Sequence, residues 1–457
     1  MTAMRVRGSR RCSRRAVLRR LWNRIFTGVR FPWRLRLWTQ VLVVAVLVSA
    51  ARAQSPKQLW VLEEPDEIVE YDVTRLAARR TMKVPRRLVE HPEYLSINSK
   101  GQMVFLPPKG AQWASGEMAS NVDRMWFWDG HRAMESKLEG AKTRGGSADK
   151  PTVTETALQW FLSAGGESLV WFENRFEKVT EGLGLEHSVR STARVWRTDL
   201  AGRRPETIAS LSSRGWCQCA TGICSETCPV WDFWAPDGVV GDFFLVTRVT
   251  VGQIQFTYHE SLLYQRSGWT WQAKKLPQAI QKPLTASTKG EILVAALPDG
   301  GCCGWENDSS DQMFLLRNGK VSVLFDESDR YHNRNYDVSF YTADARLAAG
   351  NAMLAYTVVS TAPTGSEIRL SADGKENAEE LARVRKAIGE LPAVEVVQTG
   401  IPPRSATVIP HAGLVGWVSD RDLLVAQDGR LTLYDIRRNK RKETTIRART
   451  AADAFLR

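Results

Sequence analysis

Residues 422–437 read DLLVAQDGRLTLYDIR, two apolar runs joined by a turn at Asp428 and Gly429. In the second run apolar and polar side chains alternate, which is the pattern of a β-strand with one buried face. An Asp-Gly pair between two such runs is a strong short-range signal for a β-hairpin. The stretch therefore predicts two antiparallel strands, and the fold can be built outward from this unit.

The same unit recurs along the chain. A looser copy occupies residues 354–372, and the clearer copies are QLWVLEEPDEIVEYD (58–72), RMWFWDGHRAMESK (124–137), ARVWRTDLAGRRPETIAS (193–210), SLLYQRSGWTWQAKKL (261–276) and QMFLLRNGKVSVLFD (312–326). Between these copies lie other hairpin patterns, such as residues 94–106 and 158–174. Two hairpins per unit make a four-stranded antiparallel sheet, so we expect about seven sheets arranged radially.

The copies resemble the blades of β-propellers, most nearly those of WD40-like and TolB-like repeat proteins, whose blades also end in strand, Asp/Gly turn, strand. Phe325-Asp326 and Tyr434-Asp435 look like such blade ends. The resemblance covers residues 57–440 and implies an all-β propeller of about seven four-stranded blades, with residues 54–457 as a single domain. No copy carries the full G-H…W-D signature. A β-sandwich or a pair of smaller β-domains would show the same alternation.

Two insertions interrupt the pattern. Residues 140–150 are polar, contain three glycines and lack periodicity, which predicts an exposed loop. Residues 377–390 predict a helix, because Leu381, Val384 and Ile388 fall on one face and Gly389 can end it. We expect this helix to pack across one face of the propeller.

The N-terminal 53 residues hold thirteen arginines and no Lys, Asp or Glu, and they account for the whole net charge of +13. An apolar run from Val41 to Ala50 follows, and then the small-x-small sequence of residues 51–53. These are the parts of a signal peptide cut before Gln54. The sequence thus predicts a periplasmic or secreted protein that meets the membrane only through this segment before cleavage.

Three alternatives were weighed for this segment. A nucleic-acid-binding arm would not run into ten apolar residues and a cleavage site, so no nucleic-acid partner is expected. An uncleaved anchor needs roughly 20 apolar residues, whereas residues 37–53 are fewer and contain Thr39, Gln40 and Arg52. Ser13-Arg14-Arg15 resembles a twin-arginine export signal, but the apolar run lies far downstream, which favours the general secretion route.

Apart from Cys12 in the N-terminal segment, the cysteines form two clusters. The first contains Cys217, Cys219, Cys224 and Cys228, and the second contains Cys302 and Cys303. Six cysteines in an exported protein predict three disulfides. Adjacent cysteines lie about 3.8 Å apart at Cα, less than the roughly 4.4 Å that a bridge needs, so Cys302 and Cys303 should bond to the first cluster. A zinc or iron–sulfur site is the alternative, although C-x-C-x4-C-x3-C lacks the usual spacing in its first pair.

Aromatic and acidic residues surround both clusters. We expect the segments 216–234 and 299–311 to form a disulfide-rich lid whose ligand-binding residues are Trp231, Asp232, Trp234, Trp305, Glu306 and Asp308. Rigid aromatic rings edged with carboxylates suit a sugar ring or a peptide, and the acidic turn could hold calcium. The structural alternative is that the disulfides replace a missing contact between blades and the tryptophans pack over them.

Catalytic motifs give little. The chain has no G-x-S-x-G, no H-E-x-x-H, no phosphate-binding loop and no G-x-G-x-x-G opening a helix, and its six histidines are scattered. No cofactor other than calcium is expected. We therefore predict a non-catalytic propeller that binds a protein, peptide or glycan on one face or serves as an envelope scaffold. The alternative is an enzyme, a hydrolase or lyase, that degrades an extracellular polymer with acidic loop residues.

Overall fold

A computed structural model describes the chain from Gln58 to Leu456. Outside the described part, besides the two termini, are residues 65, 85–95, 106–123, 138–152, 164–165, 182–185, 217–230, 241, 252–255, 288–289, 298–311, 327–334, 363–364, 372–373 and 401–406. The predicted loop at 140–150 and all six cysteines of residues 54–457 fall there. In the part that is described, no helix is long and apolar enough to cross a membrane.

The described strands form seven four-stranded antiparallel sheets, numbered here as blades 1 to 7. Blades 2, 3 and 4 each take their strands in chain order. Blade 2 contains β4 (Ser96–Ile97), β5 (Met103–Phe105), β6 (Arg124–Trp128) and β7 (Ala133–Lys137), and blade 3 contains β8 (Val153–Leu162), β9 (Ser168–Glu181), β10 (Glu186–Asp199) and β11 (Glu206–Trp216). Blade 4 contains β12 (Trp231–Val240), β13 (Phe243–Val251), β14 (Phe256–Ser267) and β15 (Thr270–Lys275).

Blades 5, 6 and 7 follow the same order. Blade 5 contains β16 (Gln281–Ala286), β17 (Ile292–Leu297), β18 (Gln312–Arg317) and β19 (Lys320–Asp326). Blade 6 contains β20 (Phe340–Leu347), β21 (Met353–Ser360), β22 (Ala393–Gln398) and β23 (Thr407–Ile409). Blade 7 contains β24 (Ala412–Trp417), β25 (Asp422–Gln427), β26 (Arg430–Asp435) and β27 (Lys440–Arg447).

Blade 1 joins the two ends of the described chain. It contains β1 (Gln58–Glu64), β2 (Glu67–Asp72), β3 (Ala77–Lys83) and the C-terminal strand β28 (Ala454–Leu456), in the order β28-β1-β2-β3. Trp60 on β1 pairs with Phe455 on β28. The last strand thus takes the innermost place that β4, β8, β12, β16, β20 and β24 take in the other blades.

The first strands of successive blades contact one another: β12 touches β8 and β16, β16 touches β20, β20 touches β24, and β24 touches β28. This arrangement is a seven-bladed β-propeller, and it confirms the predicted fold class. The hydrophobic core lies between neighbouring sheets; one cluster joins Phe172 of blade 3 to Trp234 and Phe244 of blade 4. Each such seam buries apolar faces of two sheets, as one expects where both faces of a sheet are covered.

The six clearer copies are confirmed as antiparallel pairs, β1–β2, β6–β7, β10–β11, β14–β15, β18–β19 and β25–β26. The hairpin patterns at 94–106 and 158–174 are confirmed as well, as β4–β5 and β8–β9. The looser copy at residues 354–372 is wrong. Its first strand, β21, pairs with β22 instead, for example Thr357 with Val394, across the helical insertion. The bridge of Leu370 to Tyr336 lies outside the blades.

The helix α1 (Ala378–Glu390) confirms the predicted helical insertion. Its N-cap is Asn377, whose side chain accepts a hydrogen bond from the backbone of Glu380. Val384 and Ile388 are buried in the core of blades 5 and 6, whereas Leu381 is only partly buried. Gly389 does not end the helix, which continues to Glu390.

Candidate functional site

The two edges of the sheets carry very different connections. Because neighbouring strands run antiparallel, connections alternate between two faces of the propeller. Between the described strands, the seven connections of about a dozen residues or more all leave from one face, here called the loop face; they are 84–95, 106–123, 138–152, 217–230, 298–311, 327–339 and 361–392. The longest connection on the opposite face, here called the turn face, is 399–406.

Side-chain contacts between connections agree with this division. On the loop face, Asn335 donates from Nδ2 to Glu380 of α1 over 2.7 Å. On the turn face, the Gly350 backbone donates to Asp420 of the next blade over 2.5 Å. Arg266 at the end of β14 also lies 3.3 Å from Glu206 at the start of β11. Each face is therefore tied together by its own polar contacts.

The two cysteine-bearing segments belong to the same face of neighbouring blades. Residues 217–230 lead into β12, the innermost strand of blade 4, and residues 298–311 join β17 to β18 in blade 5. The innermost strands of these two blades contact each other. The cysteines, Trp305, Glu306 and Asp308 lie outside the described residues, and so does the side chain of Trp231. Their predicted roles stay predictions.

Trp234 lies in the seam between blades 3 and 4. Its side chain is 6 % exposed and packs in a cluster with Phe172, Val195 and Phe244. A ring buried to this degree offers little surface to a ligand. Of the two roles predicted for this tryptophan, ligand binding and packing, its burial favours packing.

Asp232 is held by an ion pair that sequence reasoning missed. Its two carboxylate oxygens accept hydrogen bonds from Nε and Nη2 of Arg248, over 2.9 and 2.7 Å. The bond to Asp232 is the main cause that raises the pKa of Arg248. Arg248 also lies 3.8 Å from Glu260, which in turn lies 2.7 Å from Lys275.

These four side chains form a charged ladder across blade 4, one from each strand from β12 to β15. Asp232 stands at the beginning of β12 and Lys275 at the end of β15, so the ladder lies at the loop-face end of the sheet. The side chains of Arg248 and Lys275 are 37 % and 68 % exposed, which leaves part of the ladder open to solvent. The ladder therefore presents fixed charges at the loop-face end of blade 4, where the chain enters β12.

Asp237 is a second group that sequence reasoning missed, because Pro-Asp-Gly predicts a turn. It lies in a β-bulge of β12, between Pro236, which pairs with Val246, and Gly238, which pairs with Leu245. The hydroxyl of Thr247 is 2.5 Å from its carboxyl. Burial raises its pKa to about 8, although the residue as a whole keeps partial exposure. The pKa depends on the carboxyl group, which is buried, and not on the other atoms of the residue, which are partly exposed.

Asp344 lies beside a bulge on β20, the innermost strand of blade 6; Ala343 is the unpaired residue there, and Asp344 pairs with Thr357. Burial raises its pKa, and the guanidinium of Arg346, 2.6 Å away, opposes that shift. Two innermost strands thus carry a carboxyl at a bulge, with blade 5 between them. Across the described residues, no three His, Cys, Asp or Glu side chains are placed to hold a metal ion. The acidic turn proposed for calcium, 299–311, lies outside them.

No protein-family profile matches the chain, and no curated protein matches it in sequence. Among solved structures, apo AztD from Citrobacter koseri is 10 % identical with a TM-score of 0.35, over 88 % of this chain and 97 % of that one. Porphyromonas gingivalis dipeptidyl peptidase 4 is 9 % identical with a TM-score of 0.38, over 85 % and 58 %. The dihydro-heme d1 dehydrogenase NirN is 10 % identical with a TM-score of 0.30, over 87 % and 74 %. All three are propeller-type folds, and at TM-scores below 0.5 the likeness carries no conclusion about this chain.

Proposed function

We propose that the protein is a periplasmic or secreted binding propeller that holds a protein, peptide or glycan at its loop face. One observation carries this proposal: every connection of about a dozen residues or more between the described strands is on that face. Binding residues are concentrated in loops that a rigid scaffold positions, and tight turns give no such variety of surface. The propeller supplies the scaffold and the loop face supplies the surface.

The position of the cysteine segments supports a binding centre over blades 4 and 5. Both segments begin and end on the loop face: 217–230 runs from blade 3 to the innermost strand of blade 4, and 298–311 joins two strands of the adjacent blade 5. Disulfides between them would hold Trp305 and its acidic neighbours rigid before a ligand arrives, which reduces the entropy lost on binding. The partly exposed Arg248 and Lys275 of the charged ladder would then orient a polar ligand.

The experiment compares one aromatic from each face in the exported protein. Binding to a glycan array and a peptide array is measured for the wild type, Trp305→Ala and Trp269→Ala. Trp269 stands on the turn face and is 91 % exposed, so its loss changes no core packing. We expect a ligand whose affinity falls about 5- to 100-fold in Trp305→Ala and is unchanged in Trp269→Ala. Equal effects of the two changes would contradict a loop-face site.

An enzyme acting on an extracellular polymer is the second candidate, and Asp237 is the observation that favours it. A carboxyl whose pKa is about 8 holds its proton at neutral pH, as a general acid must. Asp237→Asn would then abolish polymer cleavage while the chain stays folded. A binding propeller would show no cleavage in either form, and its array binding would survive the substitution.

A further inference from the structure

The turn face carries a repeated arrangement of charge. In four blades, an aspartate at the turn between the third and fourth strands accepts backbone N–H bonds from the turn, one of them from an arginine three or four residues later: Asp72 with Arg75, Asp129 with Arg132, Asp199 with Arg203 and Asp435 with Arg438. The aspartates are thereby used in holding the turns, and the arginine side chains extend from them.

The cations of these turns are exposed. The side chain of Arg132 is 77 % exposed and that of Arg438 is 67 % exposed, and both lie almost 4 Å from the aspartate of their turn. Such loose, solvated pairs contribute little stability and leave the guanidinium free to meet another anion. Further exposed cations on these outer turns, between third and fourth strands, are Arg204, Arg317, Lys320, Arg437 and Lys440. The exposed acidic residues Glu167, Asp242, Glu291 and Asp420 of the same face lie on the inner turns, between first and second strands, so the cations form an outer rim.

Trp269 lies on the same face, on the outer turn of blade 4, between the blades that carry Arg204 and Arg317. It is at the tip of the β14–β15 hairpin next to Gly268, whose φ is +64°, and its side chain is 91 % exposed. Because the side chain of Trp269 is this exposed, no other described side chain forms a wall beside the indole. A sugar-binding cleft needs such walls, whereas an indole that projects freely suits insertion into the boundary between lipid headgroups and acyl chains.

We propose that the turn face docks on a membrane surface rich in anionic phospholipid headgroups, with Trp269 inserted at the interface. The cations are spread over the turns of blades 1, 2, 3, 5 and 7, all at the same edge of the ring, which matches an extended anionic surface better than one small ligand. Stable attachment needs two signals, and here they are the exposed cations of the outer turns and an apolar anchor. The membrane contact is additional to that of the N-terminal segment, and it leaves the loop face turned towards its ligand.

The test uses matched triple substitutions on opposite faces. Arg437→Gln/Arg438→Gln/Lys440→Gln removes three exposed cations from the turn face, and Arg383→Gln/Arg385→Gln/Lys386→Gln removes three exposed cations from α1 on the loop face. Exported protein is sedimented with vesicles of phosphatidylglycerol and phosphatidylcholine, or of phosphatidylcholine alone. All variants share the same N-terminus. Any arginines that remain there after export therefore contribute equally to the vesicle binding of every variant.

We expect binding to the anionic vesicles alone, a loss on the order of 100-fold at low salt in the turn-face triple variant, and no change in the α1 variant. In vesicles with brominated lipid, part of the tryptophan fluorescence should be quenched, and Trp269→Ala should remove that quenching. Equal binding to both kinds of vesicle, equal loss in both triple variants, or unchanged quenching in Trp269→Ala would overturn the proposal. Binding to soluble dextran sulfate without binding to vesicles would also overturn it and assign the face to an acidic polysaccharide.

Discussion

The hydroxyl of Thr247 lies 2.5 Å from a carboxyl oxygen of Asp237 and 3.0 Å from the carbonyl oxygen of Ile280. One hydroxyl proton cannot be donated to both acceptors at once. If Asp237 is protonated, its own O–H donates to Thr247, and Thr247 is free to donate to Ile280. The hydroxyl of Ser261, 2.6 Å from Thr247 and 3.0 Å from the same carbonyl, can serve Ile280 instead, so the network is satisfied with Asp237 in either protonation state. Burial raises the pKa of Asp237 to about 8, and the hydrogen bond from Thr247 opposes that shift.

The first prediction follows from that pKa. The native state keeps a proton on Asp237 that the unfolded chain releases above about pH 4, so stability falls as the pH rises from about 4 to about 8. The loss reaches up to about 4 kcal/mol by pH 7, at 1.36 kcal/mol per pH unit. Asp237→Asn keeps a donor for Thr247 and should remove this slope. Urea unfolding between pH 4 and pH 9 measures it, and an unchanged slope in the variant would disprove the assignment.

Asp232→Asn is the matched control on the same strand. Asp232 binds Arg248 through both oxygens, so its neutral amide should weaken the native state by about 1 to 3 kcal/mol at pH 7. The two Asp-to-Asn changes on β12 are therefore expected to act with opposite sign.

A second prediction concerns the seam between blades 4 and 5. A Cβ at Gly290, where φ is +66°, would lie 2.6 Å from the ring of Phe243. Gly290→Ala should cost about 2 to 4 kcal/mol, from the left-handed backbone and the overlap together. Gly319 has a φ of +81° and open space, so Gly319→Ala should cost only about 1 kcal/mol. Thermal unfolding of the two variants measures the difference. Equal decreases in melting temperature would contradict the prediction, because they would mean that the side chains around Phe243 rearrange to accept the new Cβ.

The third prediction separates two tryptophans of the expected lid. Trp234 is buried between blades, so Trp234→Ala should lower the free energy of unfolding by about 3 to 5 kcal/mol. Trp305→Ala should instead weaken ligand binding by about 1 to 3 kcal/mol and leave the unfolding curve in place. Unfolding and array binding of both variants decide the matter, and a stable Trp234→Ala that has lost its ligand would reverse the roles.

A fourth prediction is that disulfides join the two cysteine segments. Non-reducing peptide mapping of exported protein should link a peptide with Cys302 or Cys303 to one from residues 217–228. The strand ends support the pairing because both segments belong to the loop face of adjacent blades. Six free thiols or stoichiometric zinc would exclude it.

The fifth prediction is that exported protein begins at Gln54, since residues 41–53 have the order of an apolar core and a cleavage site. N-terminal sequencing of the exported fraction tests it. An intact arginine-rich terminus in the membrane fraction would identify an anchor instead.

The sequence predicted the blades wherever a hairpin has its own turn, as at Asp428-Gly429, because alternation and turn chemistry are local. It misplaced the partner of β21, since an inserted helix separates Thr357 from Val394 and local pattern cannot bridge it. Asp237 was missed because Pro-Asp-Gly predicts a turn in water, whereas here the pairing of β12 with β13 makes it a bulge. The closing strand was missed because three residues carry too little periodicity.

That closing strand constrains when the protein can fold. Blade 1 lacks its innermost strand until Ala454–Leu456 reaches Leu59–Val61, close to four hundred residues away along the chain. The ring thus stays open while the chain is synthesised in the N-to-C direction, and it closes only after Ala454–Leu456 has been made. For the export that we propose, a translocation channel that threads unfolded polypeptide would meet no closed propeller, because the ring closes last.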